Sequence, residues 1–421
     1  MTMEIIGTFD RDQLFCAGSL TKLLTTFVIL SFLSEHYDLE TILDDDHFLE
    51  RTSTQPAAKA FLQLFQRIIG SQFSLHDLCS YYAGLPYTFD VSKKQLDDVD
   101  LGHPLKHHSI LDEATFLSHC KDNITALYQA KCKFHYSELS IIFLGYWLEK
   151  AFNLRIEALY ERYLFKQFNL KNSLFSRKLV PNVYCQDLSN QYDYPSIAIL
   201  NHGYFCYSNG YFTTLNDMKT LLDAMITTST FNIMTDMRLA RAASNTLMNG
   251  LTIEIRQVQD DIIYGYEGFS FSGCNIWAYS TKHKKGFITF TNDEEEAYPI
   301  IYDQWHYQTF DRAPEHTQTI YKRFMQQPQE TISEKAIPSD YQGKYKRVKI
   351  NDSELENTFI VGDHFIIIRN PDEIKYEVIY ANGHYHIKGK DNVPGAKVGF
   401  SQSTNGHYYL YHDCTLYKKY S

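Results

Sequence analysis

The chain has 421 residues, of which 44% are hydrophobic and 15% aromatic, enough to bury one large core or one large core and a smaller second domain. Its formal net charge is −10, and acidic and basic residues are mixed along its length, which argues against a nucleic-acid-binding protein. The eight cysteines have no C-x-x-C spacing, and the histidines form no cluster at metal-like intervals. We therefore expect free buried thiols, no bound metal and no cofactor.

The first half of the chain is predicted to be mainly helical. Apolar residues recur at helical spacing from Leu20 onwards. The apolar run from Leu23 to Leu33 is shorter than the roughly 20 residues of a membrane span, so it predicts a buried helix and no membrane segment. The preceding residues lack the basic start and apolar block of a signal peptide. The sequence as given predicts a cytoplasmic protein, and an extracytoplasmic or secreted one if residues are missing upstream.

The second half changes to short strands. Alternating patterns at Leu251–Ile255, Asn275–Tyr279 and Gly286–Phe290 predict strands separated by polar turns. A helix is expected near Ile300–Phe310. Composition rich in Gln, Glu, Ser, Thr and Pro then predicts a linker over residues 326–338.

The residues after this linker form a different kind of sequence. Short runs rich in Tyr, Val and Ile alternate with turns at Val361–Asp363, Ala381–Gly383 and Thr404–Gly406, which is typical of antiparallel hairpins. We predict one large domain over residues 1–325 and a small all-β barrel or sandwich over residues 339–421.

One short segment combines a candidate nucleophile with a candidate base. Ser19 and Lys22 lie at the start of the first predicted helix, one turn apart on the same face. The positive end of a helix favours a developing oxyanion, and a lysine kept neutral by burial accepts a hydroxyl proton. The same S-x-x-K spacing recurs at Ser118 and Lys121, so the spacing alone is weak evidence.

The surrounding sequence resembles the class C β-lactamase and penicillin-binding-protein superfamily at four places in order. Residues 15–22, F-C-A-G-S-L-T-K, match its nucleophile motif. Residues 73–86, F-S-L-H-D-L-C-S-Y-Y-A-G-L-P, are similar to I-T-x-x-D-L-L-x-H-x-S-G-L-P. Residues 134–138, F-H-Y-S-E, are similar to the Y-S-N motif and are followed by L-G-Y-W-L-E-K. Residues 210–218, G-Y-F-T-T-L-N-D-M, are similar to G-G-L-x-S-T-x-x-D-M.

The resemblance implies an α+β fold, in which a helical subdomain packs on an antiparallel sheet flanked by helices. It implies an active site in the groove between them, with Ser19, Lys22 and Tyr136 as catalytic residues. It also places a third motif, normally K-T-G or H-x-G, near Tyr266, Glu267 and Gly268. We group these three residues with Glu138 as candidate substrate-binding residues.

Three departures from the family pattern affect the expected chemistry. Tyr266 replaces the cation that helps to hold a substrate carboxylate, although a backbone amide of this strand would still serve an oxyanion hole. Glu138 replaces Asn, and a carboxylate near Lys22 favours the ammonium form. We therefore expect either that Tyr136 carries more of the proton transfer or that Glu138 binds a cationic group of the substrate. Finally, only 18 residues precede Ser19, with one short strand at Met3–Thr8, so we expect a smaller sheet or a native start further upstream.

The sequence thus predicts a serine hydrolase that acts on a small ester or a D-amino-acid-containing ester or amide. A D-alanyl carboxypeptidase or β-lactamase is the alternative of the same class, and a protein that binds peptidoglycan-like ligands without turnover is the alternative of another class. The C-terminal domain resembles the lipocalin-like appendage of some members and is predicted to be a structural cap. The oligomeric state is left open.

Overall fold

The computed structural model describes residues 10–87, 113–124, 126, 130–131, 134–177, 180, 203–243, 247–258, 260–270, 273–291, 335–347, 358–370, 372–381, 384–388, 394–402, 408–412 and 415–420. The predicted strand at Met3–Thr8, the predicted helix at Ile300–Phe310 and most of the predicted linker lie outside these residues. Among the described residues, no helix has both the length and the apolar character needed to cross a membrane.

The first part of the chain is largely helical, as predicted. Its helices follow one another in chain order as α1 (Leu20–Ser34), α2 (Leu39–Leu43), α3 (Phe48–Thr52), α4 (Pro56–Ile69), α5 (Leu75–Cys79), α6 (Glu113–Asn123), α7 (Glu138–Phe152), α8 (Ile156–Tyr160, continued by a π-helical turn over Glu161–Lys166), α9 (Cys206–Asn209, preceded by a 3₁₀ turn over Gly203–Phe205), α10 (Leu215–Met225) and α11 (Ser229–Met234).

Helix α1 is the central element of this part. Every residue from Leu20 to Leu33 is buried, which confirms the predicted buried helix. A buried hydroxyl needs a partner, and the hydroxyl groups of α1 find theirs in neighbouring elements. The Thr25 hydroxyl donates to the Tyr207 carbonyl at 2.7 Å and lies 2.8 Å from the Tyr160 hydroxyl. Polar contacts therefore fix the position of a helix that apolar packing surrounds on all sides.

Three of the four matched segments begin helices with side-chain caps. The Asp77 amide donates to the Ser74 hydroxyl at 3.1 Å, and the Asp77 carboxylate accepts from the Ser74 amide at 2.7 Å, which completes a capping box at α5. Thr214 caps α10 by accepting from the Asp217 amide at 3.2 Å. Ser137 caps α7 in the same way. Helix initiation therefore explains the hydroxyl residues Ser74, Ser137 and Thr214 of these segments.

Two antiparallel sheets accompany the helices. A small sheet has the order β1-β3-β2, and a larger one has the order β4-β5-β6-β7-β8-β9. The strands are β1 (Phe15–Cys16), β2 (Leu174–Phe175), β3 (Tyr211–Thr213), β4 (Arg241–Ala242), β5 (Met248–Asn249), β6 (Glu254–Val258), β7 (Asp261–Ser270), β8 (Gly273–Ser280) and β9 (Lys285–Thr291). Helices together with an antiparallel sheet confirm the α+β class.

The predicted strands agree with the larger sheet except at its start. The strands predicted at Asn275–Tyr279 and Gly286–Phe290 lie within β8 and β9. The strand predicted at Leu251–Ile255 begins only at Glu254, because Thr252 has a left-handed backbone with φ 58° and belongs to the turn after β5.

Strands β10 to β17 form a closed antiparallel barrel, in which each strand pairs with the next and β17 pairs with β10. They are β10 (Gly343–Arg347), β11 (Thr358–Val361), β12 (Phe365–Asn370), β13 (Asp372–Ala381), β14 (His384–Lys388), β15 (Pro394–Gln402), β16 (Tyr408–His412) and β17 (Thr415–Lys419). Ile337, which falls inside the predicted linker, is buried in the barrel core. The likeness of this barrel to lipocalins stays a prediction.

The described core contains buried thiols, as expected. Cys16, Cys79, Cys120 and Cys206 are buried and form no disulfide with one another. Burial raises the pKa of the Cys79 thiol well above its ordinary value. These thiols therefore act as small apolar residues of the core.

The buried hydroxyl of Thr25 offers a test of how α1 is held. We predict that Thr25→Val, which preserves the shape of the side chain, lowers the free energy of unfolding by about 1–3 kcal/mol, because it leaves the Tyr207 carbonyl and the Tyr160 hydroxyl without this partner. Urea unfolding followed by circular dichroism measures the change. The matched control is Thr220→Val on α10, where an exposed hydroxyl donates to the Asn216 carbonyl and the expected change is within about 0.5 kcal/mol. Equal effects of the two substitutions would contradict this account.

Candidate active site

The segment from β1 to α1 places Ser19 and Lys22 together. Gly18 has φ 52°, a left-handed conformation that turns the chain from β1 into α1. Ser19 immediately precedes the first residue of α1, and Lys22 follows one turn later. The Lys22 Nζ donates to the Ser19 Oγ at 2.8 Å. Ser19 remains 9% exposed whereas Lys22 is fully buried, so a buried amine contacts a hydroxyl at the surface of the core.

Strands β7 and β8 hold this turn from the other side. The Asn275 Nδ2 donates to the Ala17 carbonyl at 3.0 Å, and the Ser270 hydroxyl donates to the Cys16 carbonyl at 2.9 Å. Gly268 lies so close that a Cβ atom there would sit 2.5 Å from the Ala17 carbonyl oxygen. A residue with a side chain at position 268 would therefore push the strand away from the Ser19 turn.

Glu138 occupies the first turn of α7 and is 2% exposed. Its Oε1 accepts from the Lys22 Nζ at 3.1 Å and from the Asn209 Nδ2 at 3.0 Å. Its Oε2 is buried without a hydrogen-bond partner. The carboxylate thus joins α7 to α1 through a buried ion pair and to the end of α9 through a hydrogen bond.

Tyr136 and Glu138 together decide the protonation state of Lys22. Burial lowers the pKa of Lys22, but the neighbouring oxygen atoms of Tyr136 and Glu138 raise it by more, so that it lies above its ordinary value. Lys22 is therefore an ammonium ion across the neutral pH range. This agrees with the expectation that a carboxylate at position 138 favours the charged form.

Tyr136 completes the cluster. It lies in the loop that leads to the Ser137 cap, and its ring centroid is 5.2 Å from the Lys22 Nζ. Its ring also contacts Tyr81 and Tyr87, with centroid distances of 5.1 and 5.8 Å. The structure therefore brings together all three predicted catalytic residues and Glu138.

Tyr266, the residue in place of the expected cation, lies inside β7 and is 3% exposed. Its hydroxyl is 2.6 Å from that of Tyr81. Burial and the neighbouring phenols of Tyr136 and Tyr81 raise the pKa of Tyr266 well above its ordinary value, and burial does the same to the pKa of Tyr81. Both phenols are therefore uncharged in the folded protein at neutral pH.

Glu267 does not join this cluster, which corrects its grouping with Tyr266 and Gly268. Successive side chains of a strand point to opposite faces of the sheet. Glu267 therefore faces away from Tyr266, and its carboxylate accepts from the Arg256 Nη2 at 3.4 Å on β6. Its role is an ion pair on the other face of the sheet.

Sequence reasoning missed the contributions of Tyr81, Asn209 and Asn275. Tyr81 and Asn209 lie in or beside matched segments, but only the folded chain shows that their side chains reach Tyr266 and Glu138. The second S-x-x-K match has no such setting, because Ser118 and Lys121 are exposed within α6. Position at a helix start is the signal that distinguishes Ser19 from Ser118.

Comparisons with known proteins agree with the fold described above. The β-lactamase family model matches residues 5–303. Among solved structures, SurE is 14% identical and matches 98% of this chain and 89% of its own, with a TM-score of 0.58. The octameric penicillin-binding protein homologue from Pyrococcus abyssi is 14% identical and matches 97% of this chain and 89% of its own, with a TM-score of 0.51.

A third solved structure, the penicillin-binding protein from Bacillus halodurans, is 16% identical and matches 71% of this chain and 86% of its own, with a TM-score of 0.54. At these identities the likeness shows the fold alone. The matches to SurE and to the Pyrococcus protein extend through the C-terminal barrel. None of the curated proteins matches this chain.

The Lys22–Glu138 pair generates a prediction about pH dependence. Glu138→Gln removes the negative charge that favours the ammonium form, so the pKa of Lys22 falls and a neutral amine becomes available to Ser19 at lower pH. We predict that the rising limb of Ser19 labelling by a fluorophosphonate, which phosphonylates activated serine hydroxyls, moves down by about one pH unit or more. Labelling rates measured from about pH 6 to about pH 10 check this.

The control for this substitution is Glu113→Gln. Glu113 also pairs with a lysine, at 2.7 Å from the Lys150 Nζ, but Lys150 lies in the last turn of α7 and away from Ser19. In this control, the rising limb of the labelling-rate profile should keep its pH position. If Glu138→Gln leaves the rising limb at the same pH or moves it to higher pH, the assigned effect of Glu138 on Lys22 is wrong.

Proposed function

Because the chain belongs to the β-lactamase family, we propose that it is a serine hydrolase that forms an acyl-enzyme on Ser19. The observation that carries the proposal is the contact of 2.8 Å between the Lys22 Nζ and the Ser19 Oγ at the start of α1. A nucleophile needs an activating group within this distance. The position at a helix start supplies the second requirement, because the positive end of the helix stabilises an oxyanion.

The proposed reaction begins when the Ser19 Oγ attacks an ester or amide carbonyl carbon. Tyr136 relays the proton without a net change of its own charge: its hydroxyl oxygen accepts the Ser19 hydroxyl proton while its own hydroxyl proton passes to the leaving group as the bond to that group breaks. The Lys22 ammonium, held by Glu138, stabilises negative charge on the oxygens beside it. The Ser19 amide and an amide of β7 receive the carbonyl oxygen, and water then releases the acid.

The proposed substrate is a small ester or a D-amino-acid-containing ester or amide. Esters need less protonation of the leaving group than amides, and a lysine that is already protonated is a poor base for amide cleavage. SurE has been solved with D-Leu, which supports a D-amino acid in the substrate. Since Lys22 already matches the charge of Glu138, the first of the two expectations, that Tyr136 carries more of the proton transfer, is favoured over the capture of a cationic substrate group by Glu138.

The two alternatives rank lower for separate reasons. A β-lactamase or D-alanyl carboxypeptidase acts on substrates with a carboxylate, and the phenol of Tyr266 offers no charge to receive one. The second alternative, a protein that binds such ligands without turnover, is supported by the ammonium form of Lys22, which is a poor base. It ranks lower because the Lys22 Nζ contacts the Ser19 Oγ, and this contact favours the enzyme.

A fluorophosphonate probe tests the proposal without knowledge of the substrate. We predict one adduct per chain in the wild-type protein by intact-mass spectrometry, because the probe reacts with an activated serine, and no adduct in Ser19→Ala. Ser118→Ala, which alters the second S-x-x-K match on α6, is the matched control and should keep the adduct. If the folded wild-type protein forms no adduct, the hydrolase proposal is wrong and binding without turnover takes its place.

A further inference from the structure

The peptide group between Ala17 and Gly18 lies directly before the nucleophile, and three elements hold it. The Ala17 amide donates to the Tyr211 carbonyl on β3 at 2.9 Å, and the Ala17 carbonyl accepts from the Leu20 amide of α1 at 3.1 Å. The same carbonyl accepts from the Asn275 Nδ2 on β8 at 3.0 Å. Asn275 thus adds a side-chain contact from the large sheet to two backbone contacts.

The glycine at position 18 explains why this contact matters. Gly18 has φ 52°, and a residue without a Cβ changes its backbone conformation at little cost. The hydrogen bonds of the neighbouring carbonyl and amide groups therefore fix the chain at this place. Because the Ser19 amide belongs to the next peptide group, a rotation at Gly18 changes the direction in which this amide points.

The Asn275 amide has a defined orientation that is unfavourable for stability. Its nitrogen faces the Ala17 carbonyl, since an oxygen in the same place would set two acceptors 3.0 Å apart. Its Oδ1 is then buried and has no hydrogen-bond partner among the described residues. A buried acceptor without a partner destabilises the folded state. Stability therefore explains an asparagine here poorly, and the contact of its nitrogen with Ala17 indicates a role at Ser19.

We propose that Asn275 is a positioning residue, which holds the Ala17–Gly18 peptide group so that the Ser19 amide points at the substrate carbonyl oxygen as negative charge develops there. Donors stabilise an oxyanion best when they are directed at its position before the reaction begins. Asn275 acts through the backbone and needs no contact with the substrate. The inference rests on the proposed acyl-enzyme function and adds a residue of β8 to it.

An ester and its thionoester, in which sulfur replaces the carbonyl oxygen, test this role. Sulfur accepts hydrogen bonds weakly, so the thionoester gains little from a directed amide. Asn275→Leu removes the donor from a side chain of similar size. We expect it to lower kcat/KM for p-nitrophenyl phenylacetate by about tenfold or more, and for O-p-nitrophenyl thionophenylacetate by less than about threefold. The ratio of the two values, measured on one preparation, does not depend on the fraction of folded protein.

Two further variants complete the design. Asn249→Leu is the matched control, because Asn249 is also buried and its Nδ2 donates to the Gly250 carbonyl at 2.8 Å. It lies on β5, three strands from β8 in the large sheet, and should change the ratio by less than about twofold. Asn275→Ala removes the same donor as Asn275→Leu and should lower the ratio in the same way, so the test stands if the leucine variant does not fold.

The outcomes separate this inference from the hydrolase proposal. A ratio of ester to thionoester that falls in the Asn275 variants and not in Asn249→Leu supports the positioning role. If the wild-type protein hydrolyses the esters but the Asn275 variants keep its ratio, Asn275 has only a structural role and the inference is overturned, whereas the hydrolase proposal stands. If the folded wild-type protein hydrolyses neither ester and Ser19 is not acylated, the hydrolase proposal is wrong and the positioning role is wrong with it.

Discussion

The buried ion pair between Lys22 and Glu138 is the interaction on which the arrangement around Ser19 depends. Both side chains are almost wholly buried, and removal of one partner from such a pair leaves an uncompensated charge at a cost of about 3–5 kcal/mol. Each residue therefore fixes the other. Because Lys22 lies on α1 and Glu138 begins α7, the pair sets the distance between the helix that carries the nucleophile and the loop that carries Tyr136.

The same pair determines the chemistry that the cluster can perform. A neutral lysine is a base, whereas an ammonium ion is an electrostatic stabiliser and a hydrogen-bond donor. Tyr136 and Glu138 together favour the ammonium. Under the proposed function, the proton therefore passes through Tyr136, and substrates with good leaving groups are preferred. The buried phenols of Tyr81 and Tyr266 add no charge to this cluster at neutral pH, because burial raises the pKa of both.

The sequence predicted the local features well because they depend on short-range chemistry. Helical spacing located α1, and the ordered segments placed Ser19, Lys22 and Tyr136 together. The sequence did not predict which face of a sheet a side chain lies on, or which residues far apart in the chain come into contact. Glu267 is adjacent to Tyr266 in the chain but faces the other side of the sheet. The contact of Asn209 with Glu138 spans 71 positions, and no pattern within either segment specifies it.

The most direct test of the central claim is a rapid-mixing experiment with p-nitrophenyl phenylacetate. The account predicts a burst of nitrophenol close to one equivalent of protein, together with a phenylacetyl group on the peptide that contains Ser19 after acid quenching, because formation of the acyl-enzyme precedes its hydrolysis. The Ser19→Ala variant should show neither. Steady release of nitrophenol without a burst and without an acylated Ser19, in a folded wild-type protein, would contradict the claim that Ser19 is the nucleophile.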